Sequence, residues 1–139
     1  MAVLALFPGS FDPDTEGHEA ILRRILPLFD KVVVAVGVNS DKQYMFSVEE
    51  RIQRIRERLA DCPTVEVTSY SGMTVDLCHQ LGAQVIIRGI RTAKDFEYEQ
   101  TIAAVNRLQD ASIETLLLLA DPEHVNISST LEREKMTHK

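Results

Sequence analysis

The segment Phe7-Pro8-Gly9-Ser10-Phe11-Asp12-Pro13-Asp14-Thr15-Glu16-Gly17-His18 places a hydroxyl and an imidazole on either side of a turn rich in glycine and proline. It follows the apolar run Val3-Leu4-Ala5-Leu6 and precedes a helical pattern, so it reads as strand, tight turn and helix start. A helix N-terminus exposes unpaired N–H groups and a partial positive charge, which suits it to phosphate, and an imidazole there adds a donor that can follow charge as it develops. Further groups of the same kind recur: Lys42 in a polar loop, Arg88 and Arg91 in Arg88-Gly89-Ile90-Arg91, and Ser128-Ser129-Thr130. Guanidinium groups clamp phosphate oxygens, a lysine supplies a mobile point charge, and hydroxyls at a helix start add donors. The set holds many phosphate-binding groups but no carboxylate pair, triad or metal cage, so the expected chemistry is transfer at phosphorus without a protein metal site. Such transfers depend mainly on positioning and on neutralising oxyanion charge. The absence of a Walker A sequence excludes a P-loop NTPase.

These groups need elements that bring them to one place. Strands are predicted at Val3 to Phe7, Lys31 to Val38, Val65 to Ser69, Gln84 to Arg88 and Thr115 to Leu119; continuous β-branched runs mark strands covered on both faces. Helices are predicted at Gly17 to Leu28, Val48 to Ala60, Thr74 to Leu81 and Phe96 to Leu108, with another beginning near Ser129. Pro27 should truncate the first, and Ser47-Val48-Glu49-Glu50 has the spacing of a capping box. The alternation specifies an α/β fold: a doubly wound five-stranded parallel sheet, a Rossmann-like dinucleotide-binding fold with right-handed crossovers. In that order the first and fourth strands are neighbours where the winding reverses, and ligands bind beyond the carboxyl ends of the strands there. Ser10 and His18 follow the first strand, Lys42 the second, Gly72-Met73-Thr74 the third, Arg88 to Arg91 end the fourth, and Ile127 to Thr130 follow the fifth. One crevice is therefore expected to gather imidazole, ammonium, guanidinium and hydroxyl donors.

With 139 residues, 45% of them apolar and 26% charged, the chain can build one domain with a real core. A formal net charge of −6 argues against a surface that coats nucleic acid. Cys62 and Cys78 lie far apart, without a CxxC pattern or a histidine at ligand spacing, so neither zinc nor a disulfide framework is expected and a reducing compartment fits. The opening residues lack a basic leader and stop at Pro8-Gly9, too short for a signal peptide or a span. A cytoplasmic protein without membrane contact is expected.

Gly9-Ser10-Phe11-Asp12-Pro13, Thr15-Glu16-Gly17-His18, Arg88-Gly89-Ile90-Arg91, Asp95-Phe96-Glu97-Tyr98-Glu99 and Ile127-Ser128-Ser129-Thr130 together resemble the bacterial phosphopantetheine adenylyltransferases. The Thr-x-Gly-His and Ile-Ser-Ser-Thr patterns alone would mark only the wider nucleotidyltransferase superfamily, in which His-x-Gly-His is common. Thr15, with the arginine and Asp-Phe-Glu-Tyr-Glu motifs, points to the pantetheine branch. The resemblance covers nearly the whole chain, 1–139 as a single nucleotidyltransferase domain with a C-terminal helix shorter than is usual in the family. It implies that ATP and 4′-phosphopantetheine give dephospho-coenzyme A and pyrophosphate, with Mg²⁺ carried by the ATP phosphates. His18 would stabilise charge on the α-phosphate, and Ser10 would touch both the ATP phosphate and the incoming phosphate. Lys42 and Arg88 would orient the nucleophilic phosphate, with Thr74 beside the pantetheine arm. Phe11, Gly89, Ile90, Arg91, Glu99 and the run His124, Val125, Asn126, Ile127, Ser128, Ser129 and Thr130 would join Ser10 and His18 in holding ATP. A homohexamer and feedback inhibition by coenzyme A are further implications.

Some positions depart from the family pattern. Asp14 stands where an apolar residue is usual, and with Glu16 it puts carboxylates beside the expected phosphate site, where they should repel ATP unless they turn outward or meet Mg²⁺. Gln43-Tyr44 replaces a commonly basic, proline-containing stretch, so contacts near Lys42 should differ. Two other functions fit the same residues less closely: a related nucleotidyltransferase with another acceptor, against which Thr15 counts, and a non-catalytic protein that binds nucleotide or coenzyme A. Arg88, ending a buried apolar strand, needs a partner in either case.

Overall fold

The aliphatic runs form the strands their patterning calls for. The computed structural model describes residues 3–122 and 133–136. β1 (Leu4–Gly9), β2 (Lys31–Gly37), β3 (Val65–Tyr70), β4 (Val85–Ile90) and β5 (Glu114–Leu119) make one sheet in the order β3-β2-β1-β4-β5. Every neighbouring pair is parallel. The connections carry α1 (Glu16–Ile25), α2 (Val48–Arg58), α3 (Thr74–Leu81) and α4 (Ala93–Gln109). α1 ends at Ile25 and Leu26-Pro27-Leu28 continues as a 3₁₀ turn, because proline cannot supply the N–H that an extended α-helix would need. α4 starts earlier than its apolar pattern predicts, since the Thr92 hydroxyl caps it by accepting the Asp95 N–H at 3.1 Å. In α2 the Ser47 hydroxyl accepts the Glu50 N–H at 3.1 Å. The helix expected near Ser129 would begin outside the described residues.

Alternation along the strands sends side chains to both faces of the sheet. Ala5, Phe7, Val32, Val34, Val36 and Ile87 pack with Ile21, Leu22 and Ile25 of α1 and with Ile55 of α2. Leu6, Val33, Ala35 and Ile86 pack on the other face with Val75, Leu77 and Cys78 of α3. Burial on both faces is what the continuous β-branched runs require. Full burial of one such side chain is worth about 1.5–3 kcal/mol, so the central strands anchor the sheet. Among the described residues no helix is long and apolar enough to cross a membrane.

The winding reverses at β1, which pairs with β2 on one side and β4 on the other. Its pairing with β2 runs from Leu4 to Gly9, whereas pairing with β4 is confined to Ala5–Val85 and Leu6–Ile86. Pro8 has no N–H to continue that ladder. The carboxyl halves of β1 and β4 thus part company, and a crevice opens between them.

Candidate active site

The loop leaving β1 is shaped by an unusual backbone conformation. Phe11 adopts φ +49°, a left-handed value uncommon outside glycine, which folds its ring back against Phe7 and edge-on to the imidazole of His18, 4.9 Å between centroids. Asp12 is buried and its carboxylate accepts the Met45 and Phe46 N–H groups at 2.8 and 2.9 Å, joining this loop to the one after β2. Thr15 then caps α1. Its hydroxyl accepts the His18 N–H at 3.3 Å, while the Thr15 N–H donates to Nδ1 of His18 at 2.9 Å, completing a capping box with histidine in the place usually taken by glutamate or glutamine.

That reciprocal bond decides the state of the imidazole. A backbone N–H can only donate, so Nδ1 must be unprotonated and the single proton of the neutral ring sits on Nε2. Burial lowers the His18 pKa from 6.5 to about 4; Asp14 opposes this, and the positive charges of Arg88, Arg58 and Arg91 add to it. At neutral pH the ring is therefore an uncharged Nε2–H donor at the edge of the crevice.

Arg88 closes the gap between β1 and β4. One guanidinium nitrogen donates to the Pro8 carbonyl, which satisfies an acceptor the interrupted ladder leaves open, and Nε donates to the buried carboxylate of Glu99 on α4 at 2.6 and 3.0 Å. The remaining guanidinium hydrogens have no protein acceptor among the described residues and are suited to a phosphate. Arg91 follows β4, its N–H bonded to Asp95 at 3.0 Å in the first turn of α4. Gly89 lies between the two arginines under α1: a Cβ there would meet Ile21 Cδ1 at 2.3 Å, so the bare backbone permits the close approach of strand and helix.

Two open clefts meet at this point. The first, of about 610 Å³, is lined by Phe11, His18, Gly89, Arg91, Asp95 and Arg133 among others. The second, of about 840 Å³, runs along the other side past Tyr70, Met73, Thr74, Glu99, Ile102 and Asn106. Pro8, Gly9, Ser10, Lys42, Tyr44 and Arg88 line both. Of the residues expected from sequence, Ser10, Lys42 and Arg88 stand at the junction, Phe11, His18, Gly89 and Arg91 in the first cleft, and Thr74 and Glu99 in the second. Ile90 is buried at the end of β4. His124, Val125, Asn126, Ile127, Ser128, Ser129 and Thr130 lie outside the described residues.

The carboxylates expected to oppose phosphate are accounted for. Asp14 is 5% exposed and turns to α2, where Arg54 and Arg58 hold its two oxygens at 3.0 and 2.5 Å. Glu16 is exposed on the first turn of α1. Sequence reasoning gave no role to Arg51, Tyr44 or Arg133, naming Tyr44 only as a departure from the family pattern beside Lys42. Arg51 follows two glutamates in a helix whose pattern gives no sign that it is buried, and Tyr44 sits in a polar loop. Arg133 donates to the Asp12 carbonyl at 2.5 Å, a contact no local pattern announces.

The profile of the cytidylyltransferase-like family matches residues 6–135. Phosphopantetheine adenylyltransferase of Flavobacterium psychrophilum is 50% identical over 94% of this chain and 85% of its own length. The protein of the same name from Leuconostoc citreum is 51% identical over 94% of this chain and 82% of its own. A solved structure of a putative nicotinate-nucleotide adenylyltransferase from Vibrio parahaemolyticus superposes with a TM-score of 0.74 over 99% of this chain and 88% of that one, at 18% identity, a likeness of fold.

Proposed function

The chain belongs to the cytidylyltransferase-like family and, within it, to the phosphopantetheine adenylyltransferases, and from this we propose how its crevice performs the reaction. It is an enzyme of coenzyme A biosynthesis that moves the adenylyl group of ATP to 4′-phosphopantetheine, giving dephospho-coenzyme A and pyrophosphate. The observation that carries the assignment of roles is the meeting of two clefts at Ser10, Lys42 and Arg88, with the His18 donor beside them. ATP takes the first cleft and the acceptor the second. An oxygen of the acceptor phosphate attacks the α-phosphorus as the bond to the bridging oxygen breaks and pyrophosphate leaves.

Arg88 and Lys42 hold the attacking phosphate, which offsets its repulsion from the triphosphate and brings it in line. The Ser10 hydroxyl donates where the two phosphates meet. Nε2–H of His18 bonds an α-phosphate oxygen whose negative charge grows as the new bond forms, so the contact is stronger in the transition state than in the ground state. Arg91 and the N-terminal turn of α4 lie further along the first cleft, where the departing pyrophosphate needs positive charge. The pantetheine arm runs past Thr74 and Ile102 toward Asn106.

Mg²⁺ bound to the triphosphate supplies additional charge neutralisation. The donors around the first cleft suit a metal that arrives on the nucleotide: Asp12 spends both oxygens on backbone N–H groups, and Asp95 is bonded to Arg91. Among the described residues no group of three acidic, histidine or cysteine side chains could hold a metal ion. Coenzyme A, which shares the pantetheine arm, would compete with the acceptor for the second cleft. The apolar side chains Tyr98 and Leu108 of α4 and Leu119 of β5, 65%, 88% and 69% exposed, support assembly into a homo-oligomer, which we take to be the hexamer. A cytoplasmic location fits an enzyme acting on these metabolites.

The test is pyrophosphate release by the purified chain with ATP and a panel of acceptors. Release that requires 4′-phosphopantetheine, with dephospho-coenzyme A found by mass, is expected. Release with nicotinate mononucleotide or glycerol phosphate instead, or tight ATP binding with no product from any acceptor, would overturn it.

A further inference from the structure

Among the described residues Tyr44 is the aromatic side chain that lines both clefts, and the reaction as described gives it no role. Its ring lies over the guanidinium of Arg51, 4.0 Å from the central carbon to the ring centroid. Its phenol oxygen accepts the Asn39 N–H at 3.0 Å. Arg51 itself is 1% exposed and has no carboxylate partner among the described residues. One of its terminal nitrogens donates to two carbonyls, Ser10 O and Gly37 O, each at 2.9 Å, and its Nε is buried without a hydrogen-bond partner. A buried cation so sparingly satisfied gains from an aromatic face, whose attraction for a cation strengthens as water is excluded.

The geometry makes Arg51 a common anchor for the two loops that meet the acceptor phosphate. Through Ser10 O it fixes the loop after β1; through Gly37 O it fixes the end of β2; through the ring of Tyr44 it fixes the loop that β2 leads into. Lys42 lies inside that last loop. The Lys42 N–H donates to Asn39 O at 3.0 Å, and Tyr44 ties back to the N–H of the same Asn39, so the residues from 39 to 44 form a small closed unit. The Lys42 side chain is exposed and has no ion-pair partner among the described residues. Among the described residues nothing fixes its ammonium group except the backbone that carries it, and Tyr44 fixes that backbone.

We propose that Tyr44 is a positioning residue for the acceptor: stacked on Arg51 and bonded to the Asn39 N–H, it holds the Lys42 loop against Ser10 so that Lys42 reaches the acceptor phosphate opposite Arg88. This deepens the functional reading above and rests on it. The ring supplies the stacking and the hydroxyl only the link to Asn39, so the two contributions separate in Y44F and Y44A.

Steady-state kinetics of the full chain, Y44F, Y44A, K42A and the Y44A/K42A pair test it, with thermal melting of each as a folding control. Losing one positioned charge-assisted contact predicts that Y44A raises KM for 4′-phosphopantetheine about tenfold while KM for ATP moves less than about twofold. Y44F, which keeps the ring, should stay within about threefold of the unaltered chain, since it loses one neutral hydrogen bond. In the K42A background the Y44A change should add less than about twofold, because residues acting through one contact are not additive. An equal rise in both backgrounds, an equal rise in KM for ATP, or no change in Y44A would overturn the proposal while leaving the adenylyl transfer intact. Absence of turnover by the unaltered chain would overturn the functional reading and this inference together.

Discussion

Nδ1 of His18 accepts the backbone N–H of Thr15 at 2.9 Å, so the bond that starts helix α1 also fixes the tautomer of the imidazole facing the crevice. Folding and chemistry share one contact. Protonating Nδ1 would break the cap, and the ring is therefore held neutral by geometry as well as by burial.

The first prediction concerns pH. Burial, reinforced by Arg88, Arg58 and Arg91 and opposed by Asp14, lowers the His18 pKa from 6.5 to about 4. Between those values the unfolded chain binds a proton that the folded chain refuses. The stability His18 contributes is thus complete above 6.5, is lost as pH falls toward 4, and is constant below that. NMR titration of the His18 ring in the ligand-free protein should show a midpoint near 4. A midpoint at 6.5 would remove the argument for a neutral donor.

The second separates the two functions of that contact. Replacing His18 with alanine removes the Nε2–H donor and half of the cap, and kcat should fall about 100- to 1000-fold, the usual cost of one preorganised oxyanion donor. Thr15→Ala keeps the imidazole but loses the cap hydroxyl, which should cost about 1 kcal/mol of stability and a much smaller share of kcat. Paired denaturation and rate measurements check this; equal losses of kcat in both variants would mean that His18 acts only through the helix start.

Much of this was legible beforehand because it is local. Short β-branched runs and longer helical ones specified a parallel α/β sheet, and its winding in the usual dinucleotide-fold order told where Ser10, His18, Lys42 and Arg88 would converge. What stayed hidden depends on distant partners. Asp14 read as a charge opposing phosphate, since nothing in its own segment reveals that Arg54 and Arg58 of α2 take both its oxygens. Glu99 read as a residue facing ATP, and nothing in its own segment reveals that its buried carboxylate pairs with Arg88. Arg51 sits on a helix with charged neighbours, and only the packing of α2 beneath the strand ends buries it. Of the capping box anticipated at Ser47 the structure forms the half in which the hydroxyl accepts the Glu50 N–H; the complete box is at Thr15, which escaped notice because its reciprocal partner is a histidine.

The third prediction follows from Asp14. Its carboxylate is almost wholly buried between two partly exposed guanidinium groups, so Asp14→Ala takes the ion-pair partner from Arg54, leaves Arg58 with Glu19 alone and loosens the loop before α1 from α2. A loss of about 1.5–3 kcal/mol is expected in chemical denaturation, the range for hydrogen bonds to charged groups. Because Asp14 faces α2, KM for ATP should not fall. A marked drop in that KM would show that the carboxylate does repel nucleotide.

Glu99 supplies the last test. Its two oxygens receive Nε of Arg88 at 2.6 and 3.0 Å, and the Pro8 carbonyl receives another guanidinium nitrogen, so the fork of Arg88 is held from two directions. Glu99→Gln preserves the shape of the side chain but replaces a charged, two-oxygen acceptor with a neutral one that has a single oxygen. Arg88 then keeps its charge and loses its orientation. The expected result is a rise in KM for 4′-phosphopantetheine of about tenfold, equivalent to about 1.4 kcal/mol, with a smaller change in KM for ATP. Were Glu99 instead a direct ligand of ATP, the split would run the other way, with KM for ATP rising and that for the acceptor unchanged. Measuring both constants in one variant therefore distinguishes a carboxylate that orients an arginine from one that binds the nucleotide.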